Sequence, residues 1–200
     1  MKNIIFDMGG VLITLGHERA IQRFQQIGIS DAANLLDPYM QGGPFGALEQ
    51  GDISVEEFID EMTRLAGRQV SYDECYYGWL GYAVDAPARN FELLSKLRQE
   101  GYRLILLSNM NPFINAWLET ELKLSTYFDS CYRSYEIRMM KPDPRVFSLI
   151  LEREGIKASE TLLVDDGPRN CTAASALGFH TFQPTNGEDW TKRIYDYLAI

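Results

Sequence analysis

The sequence predicts an α/β fold: a doubly wound parallel sheet with a small all-helical block inserted after the first strand. Three observations point there. Short apolar runs at Ile4-Ile5-Phe6, Leu104-Ile105-Leu106-Leu107 and Thr161-Leu162-Leu163-Val164 read as strands buried on both faces. Segments of helical period separate the later runs, which is the rhythm of a parallel sheet with crossover helices. Between Leu15 and Asp85 that rhythm stops, and helical patterning alone remains.

Taken in order, the first strand runs into Asp7-Met8-Gly9-Gly10-Val11, a strand entering a tight loop. Ala20, Ile21, Phe24 and Ile27 then recur at helical spacing and stop at Gly28. Ser30 to Met40 is expected to form a second helix, broken by Gln41-Gly42-Gly43-Pro44. Ser54, three residues before Glu57, reads as a capping box opening an amphipathic helix through Phe58, Ile59, Met62 and Leu65. Ser71 to Tyr82 predicts an aromatic-rich helix. After Pro87, helices are expected over Phe91–Gln99, Asn115–Leu122, Pro144–Arg153 and Asn170–Leu177. Asp143 is the N-cap of the third of these and Pro144 its first residue. Asp129–Ser134 and Phe179–Gln183 are expected as further short strands. The expected organisation is a Rossmann-like core of residues 1–14 and 86–200, with a helical cap domain over 15–85.

Composition narrows the function. The 200 residues carry a net charge of -9, which argues against a partner bound through a nucleic-acid backbone. No apolar run is long enough for a bilayer span, so no membrane partner is expected. Cys75, Cys131 and Cys171 are odd in number and lack CxxC spacing, and His17 and His180 are the only histidines. That predicts reduced thiols, no zinc site and a cytoplasmic protein.

The chemistry gathers where the buried strands end. The first ends at Asp7, the second at Ser108-Asn109, the third at Asp165-Asp166. In an open parallel sheet, ligands bind at the carboxyl ends of the strands. Carboxylates converging there repel one another unless a hard cation joins them, and Mg²⁺ suits a few carboxylates plus a substrate phosphate oxygen. Lys141, just before the Asp143-Pro144 helix start, adds positive charge for a transferring phosphoryl group. Asp7 is the natural nucleophile, through an aspartyl-phosphate that water then hydrolyses.

Together Asp7-Met8-Gly9-Gly10-Val11, Ser108-Asn109, Lys141-Pro142-Asp143 and Asp165-Asp166 resemble the four ordered motifs of the haloacid dehalogenase (HAD) superfamily. The resemblance spans essentially the whole chain. The helical insertion resembles the cap of the branch that holds glucose-1-phosphatases and the phosphatase domain of soluble epoxide hydrolases. It implies a Mg²⁺-dependent phosphatase acting on a small phosphorylated metabolite, a sugar phosphate among the candidates, as a monomer or homodimer. By position it implies Asp7 as nucleophile and metal ligand, and the Gly9 carbonyl as a second ligand. It assigns Ser108, Asn109 and Lys141 to the phosphoryl group, and Asp165 and Asp166 to the metal shell.

One position departs from that pattern. Phosphatases of the superfamily usually carry a second Asp two residues after the nucleophile, which protonates the leaving group. Here Gly9 stands there and has no side chain. General acid–base catalysis is worth about 10²–10⁴-fold, so slow turnover is one expectation. His17 is a candidate substitute base. His17, Arg19, Glu49, Trp79 and Asn111 are the candidates for substrate specificity, with Asp52 and the tyrosines near Trp79 as further cap residues. Two rival readings remain at this stage. One is a metal-independent dehalogenase in which Asp7 attacks carbon. The other is a phosphate-binding or regulatory module that lost its acid.

Overall fold

The computed structural model describes residues 1–37 and 39–198. Five parallel strands form the sheet: β1 (Asn3–Phe6), β4 (Arg103–Ser108), β5 (Ser130–Arg133), β6 (Thr161–Val164) and β7 (His180–Phe182), in the order β5-β4-β1-β6-β7. A two-stranded antiparallel ribbon, β2 (Thr14–Leu15) with β3 (Ala83–Asp85), stands apart from it. Between the two ribbon strands lie α1 (His17–Gln26), α2 (Ala32–Leu35), α3 (Gly43–Gln50), α4 (Val55–Ala66) and α5 (Tyr72–Trp79). After the ribbon come α6 (Ala88–Gln99), α7 (Pro112–Leu122), α8 (Ser134–Ile137), α9 (Pro144–Glu154), α10 (Pro168–Ala176) and α11 (Thr191–Leu198).

Side chains alternate across the sheet with period two, and both faces are covered. Ile5, Ile105, Leu107 and Leu163 pack with Val146, Phe147 and Ile150 of α9. Ile4, Phe6, Leu104, Leu106, Leu162 and Val164 face the other way, toward Leu93, Leu94 and Leu97 of α6 and Ile194 of α11. That second core runs without a break into the helical insertion, where Phe24, Phe45, Phe58 and Trp79 meet ring to ring with centroids 4.7 to 6.0 Å apart. Such aromatic pairs add about 0.5–1.5 kcal/mol each beyond the area they bury.

The α/β class and all five sheet strands match the sequence expectation, while several details differ. The insertion is bounded by the β2–β3 ribbon, whose strands are too short to show an alternation signal. The helix expected over Ser30 to Met40 is only α2, because Leu36 is extended and the Asp37 carboxylate accepts from the Tyr39 and Met40 amides to make a turn. Gly42-Gly43-Pro44, read as a breaker, instead opens α3, with Pro44 in its first turn where its missing N–H is no loss. The capping box at Ser54 and Glu57 is present, and Ser71 with Glu74 forms a second. α7 begins at Pro112, capped by Asn111, whose side-chain oxygen accepts from the Phe113 and Ile114 amides. The terminal helix α11 carried no expectation; its Ile194 is buried against the core that Trp190 also fills.

Candidate active site

Strand register brings the motif residues together. Phe6 pairs with Leu106 on one side and Val164 on the other, so Asp7 and Asp165 leave neighbouring strands at the same level. Asp7 continues the ladder, its amide donating to the Val164 carbonyl at 2.9 Å. Its side-chain oxygen Oδ1 accepts from the Met8 amide at 2.7 Å.

Lys141 lies between the two carboxylates. Its Nζ is 3.0 Å from Asp7 Oδ1 and donates to Asp165 Oδ2 at 2.6 Å. Both Lys141 and Asp165 are buried, at 2% and 0% exposure, so the pairing is mandatory: an unpartnered charge at that depth costs several kcal/mol. Burial pushes the Lys141 ammonium down, but Asp165 and Asp7 more than reverse this and its pKa ends raised. The Asn109 side chain locks the Lys141 backbone. Its Nδ2 donates to the Lys141 carbonyl at 2.8 Å, and its Oδ1 accepts from the Lys141 amide at 2.9 Å. Asp165 is held at its second oxygen by the Gly167 amide (2.8 Å) and Asn170 Nδ2 (2.9 Å).

Asp166 completes a cluster. Asp7, Asp165 and Asp166 each offer a carboxylate oxygen within 4.8 Å of the others. Burial, with the charge of Asp165 adding and Lys141 opposing, raises Asp7 to about 6. Burial followed by the charges of Asp7 and Asp165 raises Asp166 to about 7. One lysine therefore does not neutralise three carboxylates at this depth. Gly10 makes the crowding feasible: it sits at φ +71°, and a Cβ there would lie 2.2 Å from Asp166 Oδ2. Gly9 has no such constraint. A Cβ at Gly9 would meet only the movable end of Leu15, at 2.9 Å.

A cavity opens above the cluster. Asp7, Lys141 and Asp166 contribute to its floor, and Glu49 of α3, Trp79 of α5 and Tyr82 contribute from the insertion. Asn109, Asn111 and Asn170 also line it. Glu49 is buried and raised to about 8, chiefly by burial, with the Asp7 charge adding to it. The Asn111 amide pulls the other way without completing a hydrogen bond, for Asn111 Nδ2 is buried and unpartnered among the described residues. Trp79 Nε1 is likewise buried without a partner.

The structure thus gathers Asp7, Gly9, Asn109, Lys141, Asp165 and Asp166 at one sheet edge, with Glu49, Trp79 and Asn111 around the same cavity. Ser108 ends β4 as expected but is buried, its hydroxyl facing the Asn109 carbonyl at 3.3 Å, and it is not among the cavity-lining residues. His17 and Arg19 also stand away from the lining. His17 Nε2 is engaged by the Leu36 carbonyl at 2.9 Å. Arg19 is spent on the carbonyls of Leu80, Gly81 and Ala83, which ties α1 to the end of α5. Both candidates make these contacts within the insertion rather than at the cavity lining. Asn170 was missed; a polar residue in the first turn of the helix after Asp165-Asp166 was its sequence signal. Tyr82, one of the tyrosines named near Trp79, lines the cavity, whereas Gln41 was missed because only tertiary packing brings it here, the two side chains meeting at 3.2 Å.

A parallel sheet carrying a buried Asp–Lys–Asp chain and a third carboxylate at its C-terminal edge has its reactive groups where open α/β sheets bind their ligands, as in Rossmann-like enzymes. The chain belongs to the haloacid dehalogenase-like hydrolases, whose family model matches residues 1–178. It is 38% identical over 200 residues to a D-ribitol-5-phosphate phosphatase of Bacteroides thetaiotaomicron, the match covering 97% of each protein. Among solved structures it resembles a HAD-like family hydrolase of Porphyromonas gingivalis (39% identity, TM-score 0.93, covering 100% of this chain and 98% of that one). It also resembles a mutant HAD family enzyme of Bacteroides thetaiotaomicron solved with magnesium and inorganic phosphate (36% identity, TM-score 0.92, covering 97% and 98%).

Proposed function

We propose that this hydrolase is a Mg²⁺-dependent phosphatase that cleaves a small phosphate monoester, of the sugar or polyol phosphate class, through an aspartyl-phosphate. The observation that carries the reading is the set of three carboxylates within 4.8 Å of one another beneath a cavity, two of them pushed toward protonation by burial and then by their neighbours' charge. The donor set fits Mg²⁺: hard oxygens only, with excess negative charge that a divalent cation relieves. Asp7, Asp165 and Asp166 would hold it, with the Gly9 carbonyl as a further oxygen ligand. When bound it supplies charge stabilisation for the phosphoryl oxygens. The magnesium and phosphate bound by the Bacteroides relative support this reading, and the name of the polyol-phosphate relative supports the substrate class.

The chain's own residues do the rest. Asp7 attacks phosphorus through a carboxylate oxygen; its contact with Lys141 keeps it oriented and favours its ionised form. Lys141 offsets charge on the nucleophile and the incoming phosphate. Asn109, by holding the Lys141 backbone at two atoms, fixes where that charge sits. The Ser108 hydroxyl and the Asn109 amide would take the phosphoryl oxygens, with Ser108 turning outward from its buried position to do so. The insertion over residues 15–85 acts as a cap on a core of 1–14 and 86–200, closing water out of the site. The three free thiols fit a reducing, cytoplasmic setting. The dehalogenase alternative needs no cation and leaves the carboxylate crowding without a purpose.

The test is phosphate release from a panel of phosphorylated metabolites that includes D-ribitol 5-phosphate, run with Mg²⁺ and again with EDTA. Release that chelation abolishes is the expected result. Turnover indifferent to chelation, or no release from any ester, would overturn the reading.

A further inference from the structure

The absent side chain at Gly9 leaves the leaving group without its usual proton donor, yet the cavity supplies another carboxyl. We propose that Glu49, reaching in from helix α3 of the insertion, is the catalytic acid that protonates the departing alcohol and then activates water. This rests on the phosphatase reading above.

Geometry carries the proposal. Glu49 lines the same cavity as Asp7 but is carried there by α3 of the insertion rather than by the sheet edge. It is 7% exposed, and among the described residues no cation pairs with it. Its helix is fastened to the segment that leads from α8 into Lys141. Gln50 Nε2 donates to the Arg138 carbonyl at 2.8 Å, and Arg138 Nη2 donates to the Gly51 carbonyl at 3.0 Å, three residues before Lys141. Gly51 approaches so closely that a Cβ would lie 2.3 Å from the Tyr135 carbonyl oxygen. A pre-positioned acid needs this rigidity.

The other ionisable groups around the cavity do not suit the task. Lys141 is committed to Asp7 and Asp165. Asp166 belongs to the carboxylate cluster. Tyr39 and Tyr82 are raised above the ordinary phenol value, mainly by burial, which makes them poor donors near neutrality. Glu49 is held neutral in neutral solution by burial, so it has a proton to give.

The two half-reactions balance. In the first, an Asp7 oxygen bonds to phosphorus, the ester P–O bond breaks, and the Glu49 proton passes to the departing oxygen, releasing the alcohol. In the second, water bonds to phosphorus while the Glu49 carboxylate takes its proton, the bond to Asp7 breaks, and inorganic phosphate leaves with Glu49 again acidic.

Leaving-group dependence tests this. An aryl ester such as 4-nitrophenyl phosphate expels a stable oxyanion and needs no acid, whereas an alkyl ester such as D-ribitol 5-phosphate does. Glu49→Gln is expected to lower kcat/KM about 10²–10⁴-fold on the alkyl ester and less than about tenfold on the aryl ester. Glu49→Leu, which leaves no buried polar group, gives the same readout should the amide disturb folding. Equal losses on both esters, or no loss on either, overturn the assignment while leaving the phosphatase reading intact. If the wild-type protein cleaves neither these two esters nor any other, the phosphatase reading itself falls and Glu49 falls with it.

Discussion

The floor and the roof of the cavity are built on opposite rules. On the floor, Asp7, Asp165 and Lys141 are each tied down twice or more: Asp7 by Met8 and Lys141, Asp165 by Lys141, Gly167 and Asn170, and Lys141 by two carboxylates and Asn109. On the roof, among the described residues, Trp79 Nε1 has no partner and Glu49 is a buried acid without a cation. Asn111, at the rim, caps α7 with its oxygen and leaves its nitrogen idle. Locked groups suit chemistry that is the same for every substrate. The Trp79 and Asn111 nitrogens, left wanting a partner, suit discrimination, because a ligand that supplies the missing hydrogen bonds is strongly preferred to one that does not, while Glu49 keeps its proton for chemistry.

Substitutions can break this contrast. The largest effect is expected on the floor: Asp7→Asn should cut phosphate release by at least about 10³-fold, read in single-turnover assays, with the fold preserved. Lys141→Met should both inactivate the protein and lower its stability by about 3–5 kcal/mol in urea denaturation, since it strands buried carboxylates. Loss of activity without loss of stability would show the floor to be less tightly coupled than its distances indicate.

On the roof, Glu49 predicts a pH signature. Its folded pKa of about 8 lies above the ordinary glutamate value of 4.5, so the folded state keeps a proton that the unfolded chain gives up. Stability from this group is therefore full below pH 4.5 and is lost as pH rises toward 8. Glu49→Gln lacks the penalty, and its stability relative to wild type should improve across that window by roughly 4 kcal/mol. Smaller again, Mg²⁺ should stabilise the fold by about 2.7 kcal/mol at a hundredfold excess over Kd, read as a raised melting temperature, and bind more tightly at pH 8 than at pH 5 as Asp7 and Asp166 ionise. The smallest change is expected for Trp79→Phe. Stability should stay within about 1 kcal/mol, because the indole N–H has no partner to lose, while KM for a polyol phosphate rises.

The contrast also explains what could be read from the sequence. Floor residues lie in short contiguous strings at strand ends, where register alone sets them side by side; Asp7 beside Asp165 follows from Phe6 pairing with Val164. Lys141 was legible for a similar reason, standing directly before a helix start that Asp143 and Pro144 announce. The roof depends on how helices pack. Glu49 and Trp79 were named as candidates, but His17 and Arg19 were named beside them, and periodicity cannot say which polar residue a bundle turns toward the cavity and which it uses to tie α1 to α5. α3 itself was hidden because Pro44 both breaks and begins helices. Burial of Glu49 without a cation is a tertiary fact with no local sequence signal.

The adjacent pair Gly9 and Gly10 carries one last consequence, concerning which changes the chain can absorb. Gly10 is a fixed point, since its backbone conformation and the Asp166 carboxylate against it leave no room for any other residue. Gly9 is open ground: only a leucine methyl must yield. A single substitution there can install an acid beside the nucleophile without rebuilding the loop. The protein thus stands one mutational step from a second proton donor, and that step would release Glu49 to drift toward new substrates.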